Sequence, residues 1–236
     1  MKPEIIVPYE VAGHNADLAK ANERLTASGS YKDLSTVIVT PTRGGRSLCP
    51  RFVGAIMSLM RPMNQQCYGP VFMSGMEVAK AFNSAIEMIL ANPVLSKFKF
   101  LFTLEDDNIP PPDCLLKLYE SMREYDVVGS LYWTKGEGGQ PMIYGNPYDA
   151  PLNFMPQRPI SGTVQRCNGV GMGATLFKMD LFRKIPAPWF ETIQDERGAA
   201  TQDLAFCTKV CKLGGKIAVD TRVKTGHLDI EGDKLW

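Results

Sequence analysis

Three carboxylates stand side by side at Glu105, Asp106 and Asp107, directly after the apolar run Phe100-Leu101-Phe102-Thr103-Leu104 and ahead of Asn108 and three prolines. Adjacent acids repel one another, so the arrangement calls for a cation. A divalent metal is the leading candidate, because hard cations take carboxylate oxygens. A further acid, Asp203, opens the helical pattern Leu204, Phe206, Cys207, Val210, Cys211. Its plain reading is a first-turn acid favoured by the helix dipole. Of the two histidines, His227 follows Gly226 near the end of the sequence, and His14 reads as a solvated loop side chain. Arg43 and Arg46 flank a glycine turn, Pro41-Thr42-Arg43-Gly44-Gly45-Arg46. They suit a phosphate or nucleobase, and equally an ordinary turn with solvated arginines.

These groups need a scaffold, and the patterning supplies one. A short buried strand ending in acids delivers them to the crevice where open α/β sheets bind ligands. The β-branched run Thr36 to Thr40 reads as a buried parallel strand, followed by the glycine turn and a helix through Phe52, Ile56, Leu59 and Met60. Val71 to Met73 reads as a second strand. Met76 to Leu90 is an amphipathic helix stopped by Pro93. After the acids, Asp113 is placed to cap a helix over Cys114 to Met122, and Asp126 to Tyr132 is the next strand. Residues 133–158 are rich in Gly, Pro, Asn, Tyr and Trp, which marks a functional loop; Trp133, Tyr144 and Tyr148 could stack on a sugar or base or simply pack. In Val164 to Phe177, glycines at 169, 171 and 173 precede a strand rather than a helix. They therefore allow close approach of a ligand or neighbouring strand rather than forming a dinucleotide fingerprint. Asp180 is placed to cap a short helix ended by Pro186. Lys216 to Asp220 is the last strand, and Leu228 to Trp236 carries no readable structure.

The length suits one large domain, residues 36–236, preceded by an extension, 1–35, with an edge strand over 4–9, a helix over 15–25 and a linker from Ala27 to Ser35. A net charge of +1 without a dense Lys/Arg block removes the electrostatic case for nucleic acid. No apolar run approaches the roughly 20 residues of a membrane-spanning helix, and Pro3 and Glu4 interrupt any signal peptide, so a soluble cytoplasmic protein is expected. The six cysteines lack a C-x-x-C pair. Cys207 and Cys211, four apart on a helix, leave zinc conceivable, with small buried thiols in a reducing compartment the simpler reading.

The order of these features resembles the GT-A-fold glycosyltransferases, most closely the family 2 type, over roughly residues 36–228. The residues that carry the likeness are Leu104-Glu105-Asp106-Asp107-Asn108-Ile109-Pro110-Pro111, similar to a D-x-D metal motif, and Asn168 to Phe177, similar to a G-x-G strand lining the sugar. Thr201 to Cys207 is similar to an E-D catalytic motif, and Asp220 through Gly226-His227 to a closing D…G-H segment. The resemblance implies an α/β GT-A (nucleotide-diphospho-sugar transferase) fold with a mostly parallel central sheet flanked by helices. It implies metal-dependent transfer of a sugar from a UDP- or GDP-linked donor to an acceptor hydroxyl on a sugar, lipid, protein or nucleic-acid base.

In that reading Glu105, Asp107 and His227 hold Mn2+ or Mg2+, Asp203 is the general base of an inverting reaction, and Pro41, Thr42, Arg43, Asp106 and Gly171 contact the nucleotide sugar. The chain departs from the pattern in three places. Glu105 replaces the first aspartate, Gln202 replaces the glutamate before the base, and Phe82 precedes Asn83 where an arginine is usual, leaving Lys80 as the nearest cation. Two other readings are a sugar-nucleotide nucleotidyltransferase, disfavoured by the short glycine-poor turn after the first strand, and a non-catalytic binding protein on the same fold.

Overall fold

A computed structural model describes residues 33–44, 47–195 and 198–236, with Lys20 and Glu23 before them. The expected strand at 4–9, most of the expected helix at 15–25, His14, Gly45 and Arg46 lie outside the described residues. The strands are β1 (Thr36–Thr42), β2 (Cys67–Ser74), β3 (Phe100–Leu104), β4 (Asn108–Ile109), β5 (Val127–Leu131), β6 (Ile143–Tyr144) and β7 (Val164–Cys167). They continue with β8 (Gly169–Val170), β9 (Ala174–Lys178), β10 (Ile193–Asp195), β11 (Gly198–Ala200), β12 (Ile217–Lys224), β13 (Gly226–Asp229) and β14 (Lys234–Leu235). A seven-stranded sheet has the order β2-β1-β3-β9-β5-β12-β7. Strands β1, β2, β3, β5 and β12 run one way, and β9 and β7 run against them. The glycine-rich stretch thus feeds a reversed strand inserted between β3 and β5.

Period-two alternation divides the strand side chains between two cores. Val37, Val39, Leu101, Val127, Phe177, Ile217 and Val219 face one, while Ile38, Phe102, Leu104, Val128, Leu176 and Ala218 face the other. Both faces are covered, which is why these strands read as continuous apolar runs. The helix Val78–Ala91 lays Phe82, Ala85, Ile86 and Ile89 on the first face, beside Phe206 and Val210 of the helix Gln202–Lys212. There Phe206 stacks on Phe182 and Phe190 with ring centroids 5.3 and 4.6 Å away. Phe52 of the helix Pro50–Ser58 and Leu115, Leu118 and Tyr119 of the helix Cys114–Ser121 fill the second face. Leu34 already belongs to that core, just ahead of β1.

Three expectations need correction. Asp113 occupies the cap position of the helix Cys114–Ser121 but makes no capping bond; its carboxylate pairs with Lys117 at 2.6 Å. Asp180 is the first residue of its helix, and Met179 holds the cap position. Leu228 to Trp236 is structured: β13 pairs with β14 and, on its other side, with β4. Two-residue strands held by main-chain bonds leave no periodicity in a sequence, so this sheet was illegible there. The loop 133–158 is irregular as expected, yet tied down by β6 against β8 and by bridges Trp133–Pro141 and Tyr144–Pro156.

Candidate functional site

β3 ends where Glu105 N still donates to the oxygen of Gly173, the residue before β9, at 2.9 Å. Asn108 N then reaches back to Glu105 O at 3.0 Å, closing a four-residue turn that places Asp106 and Asp107 at its corners, positions where aspartate is at home. The exit from the turn, β4, pairs with β13 so that His227 lies opposite Asn108, and Leu228 N donates to Asp107 O at 2.7 Å. The acids are thus fixed from two sides by main-chain bonds.

A cleft of about 410 Å³ opens above them, lined by Pro41, Thr42, Arg43, Glu77, Glu105, Asp106, Asp107 and Gln202 among others. Larger or comparable hollows at Gln66–Phe98 and around Arg222 lie away from the acids. The structure therefore brings the tip of β1 against the acid turn; Asp203 is off the cleft lining, next to Gln202 on it, and 7% exposed. Thr201 Oγ1 and Leu204 N donate to Asp203 Oδ1, the latter at 3.0 Å. Gly171 is off the cleft lining: it is buried, its open side filled by the Tyr132 hydroxyl and Met142. Asn83 serves packing, accepting from Trp189 N and Phe190 N at 3.0 Å each and donating to Phe190 O at 2.7 Å. The Cys207 and Cys211 thiols point at the main-chain oxygens of Val170 and Asn168. Tyr148 is exposed with Arg166 5.6 Å over its ring, whereas Trp133 packs against the first core.

Two residues here were not singled out in the sequence. Lys135 Nζ lies 2.6 Å from Asp107 Oδ2. Tyr132, fully enclosed, accepts from Gly173 N at 3.0 Å and sets its ring edge-on to His227, centroids 5.4 Å apart. A lysine in an irregular segment carries no local signal of a partner 28 residues away. The pairing of Trp133 with Pro141, the bonds between Thr134 and Gln140 and the bond from Trp133 O to His227 aim it.

The charges are uneven. Glu105 is reachable from the cleft but ringed by protein. Burial first, then the charges of Asp107, Asp203 and Asp106, push it up to about 8, with Lys135 opposing. Burial resists ionisation of Asp107, but the hydrogen bonds and charges of His227 and Lys135 outweigh it and hold that carboxyl well below its ordinary range. Burial pushes Asp203 up, against its bonds from Thr201 and the main chain.

Among the described residues no three His, Cys, Asp or Glu side chains converge as a complete metal cage. Two do approach: His227 Nε2 is 3.6 Å from Asp107 Oδ2, and its Nδ1 is fixed by Trp133 O at 2.8 Å. That set fits a cation that keeps one or two protein ligands and completes its shell with phosphate and water, the habit of Mg2+ and its relatives. The Lys135 ammonium already stands as a positive charge on the same oxygen.

No protein-family model matches the chain, and no curated protein matches it in sequence. Solved structures do match in fold. The crystal structure of A197 from STIV is 20% identical, with a TM-score of 0.59 over 85% of this chain and 92% of that one. The crystal structure of GalNAc-T7 with UDP, GalNAc and Mn2+ is 11% identical, with a TM-score of 0.55 over 96% of this chain and 53% of that one. This chain thus spans about half the length of the second protein. The fold is of the GT-A type.

Proposed function

We propose that the chain is a glycosyltransferase that moves a sugar from a UDP- or GDP-linked donor to an acceptor hydroxyl, with inversion at the anomeric carbon. The observation that carries this is one cleft in which the tip of β1 faces the acid turn, with Gln202 on its lining and the buried Asp203 next to it. Pro41, Thr42 and Arg43 would hold the nucleotide, and Asp106 would face it. A carboxyl raised by burial, as Asp203 is, makes a better base than a solvated one. It takes the acceptor proton as that oxygen bonds to the anomeric carbon and the bond to the diphosphate breaks. Asp107 and His227, with Glu105 as an additional ligand, would hold Mn2+ or Mg2+, which when bound neutralises the departing diphosphate as a Lewis acid. Phe154 and Leu204 both lie against Gly169, so residues 133–158 run beside the helix that carries Asp203 and would border the acceptor side.

Asp203→Asn is expected to keep binding of UDP or GDP with Mn2+ while transfer, read as released nucleoside diphosphate across a donor panel, drops about 10²–10⁴-fold. Asp107→Ala is expected to lose both. Normal transfer by Asp203→Asn removes it as the base. Failure of every nucleoside diphosphate with metal to raise the melting temperature of the unsubstituted protein overturns the reading.

A further inference from the structure

Lys135 is held over the acid turn by a built arm. Tyr132 O accepts from Met142 N at 2.8 Å, Thr134 N donates to Gln140 O at 2.9 Å, and Thr134 Oγ1 accepts from Gln140 N at 2.8 Å. The connection between these rungs is Gly136-Glu137-Gly138-Gly139, with φ of +102° at Gly136 and +77° at Gly138, angles that glycine adopts freely. Trp133 O is bound to His227 Nδ1 at 2.8 Å, so the root of the arm is fixed to the same histidine that faces Asp107. At its end the ammonium takes Asp107 Oδ2 at 2.6 Å, while Asn108 Nδ2 takes Oδ1 at 3.0 Å.

Asp107 Oδ2 is the oxygen nearest His227 Nε2, and the one a cation shared by those two residues would use. An ammonium and a divalent cation cannot both sit on it, because two positive charges a few ångström apart repel strongly. The arm's root stays anchored by main-chain bonds when the ammonium leaves, so the side chain swings within its own length of the turn. The anion then within reach is the diphosphate that arrives with the metal.

We propose that Lys135 is a diphosphate-binding residue with two alternative partners: Asp107 before the donor arrives, and the donor's diphosphate oxygens once a divalent cation has taken Asp107. This rests on the donor-site reading above. Lys135 is thereby a placeholder cation on Asp107 that then becomes a clamp on the donor.

Lys135→Met keeps the length of the stem and removes the charge; Lys135→Arg keeps the charge. Titrations of Mn2+ alone, and of UDP and GDP at saturating Mn2+, are read by calorimetry on the folded full chain. In Lys135→Met, Mn2+ alone is expected to bind about 10-fold more tightly. Either nucleotide should bind about 10-fold more weakly, the scale of one charge-assisted hydrogen bond. Lys135→Arg should restore most of the nucleotide affinity. If the unsubstituted protein binds Mn2+ and a nucleotide and Lys135→Met leaves both affinities unchanged, this role is overturned while the donor site stands. If the unsubstituted protein binds neither, the donor site fails and this role falls with it.

Discussion

Glu105 is the residue where the chain departs from the D-x-D pattern, and burial among acids makes it hold a proton near neutrality, at about 8 against 4.5 for the free side chain. A carboxyl raised on folding binds more protons folded than unfolded between those two values. Its contribution is therefore present below about 4.5 and lost as pH rises to about 8. In chelator, stability should fall across that window by at most roughly 1.4 kcal/mol per pH unit, less where cleft water screens the charge. Asp203, also raised by burial, contributes a slope of the same sign. Glu105→Gln should flatten most of it in denaturant melts at pH 5, 6.5 and 8; an unaltered slope assigns the proton elsewhere. At this scale the sequence was partly readable. A run of acids after an apolar strand advertises itself, whereas Lys135 and Tyr132 acquire meaning only from partners distant in sequence.

Among the elements, β9 decides the geometry of the acid turn. It runs against both β3 and β5, and the glycine leading into it lets the neighbouring turn sit close. A β-carbon at Gly173 would collide with the side-chain amide of Asn108, the first residue of β4. Gly173→Ala is therefore expected to cost about 1–3 kcal/mol by overpacking and to loosen Asp107. Gly173→Ala combined with Asn108→Ala should cost less than the sum of the two singles, because the second change vacates the contested space. Strict additivity in chemical denaturation would place the strain elsewhere. The glycines at 169, 171 and 173 signalled close approach in the sequence, but not of what: the neighbours are Phe154, Leu204, Tyr132, Met142 and Asn108 side chains. Long strands and helices were legible because each buries a periodic face. β4, β8, β13 and β14 were not, since two to four residues cannot display a period.

Across the whole molecule, a chain of charges joins β12 to the helix Cys114–Ser121. Asp220, fully buried on β12, takes Arg222 Nε at 2.9 Å and Nη2 at 2.6 Å, and Arg222 Nη1 reaches Glu120 of the helix Cys114–Ser121 at 2.9 Å. The Asp220…Gly226-His227 segment that the resemblance assigned to the site thus divides: its aspartate ties sheet to helix, and its histidine alone faces the acids. Removing one member of a buried pair strands the other, so Asp220→Ala should lower stability by about 3 kcal/mol, with Arg222 partly relieved by water. A melting temperature within error of the unsubstituted protein would show that the pair stabilises nothing. The pairing of β4 with β13 has a kinetic meaning as well. The adjacent strands β2, β1 and β3, with the two helices between them, lie within residues 36–104 and can collapse early through contacts close in sequence, whereas Asn108 meets His227 only across a separation of over a hundred residues. Contacts of such separation form late, after loop-closure entropy has been met. The acid turn is therefore expected to mature late, and a species in which only β1 to β3 and their helices had formed would carry the acids without the histidine strand that packs against them.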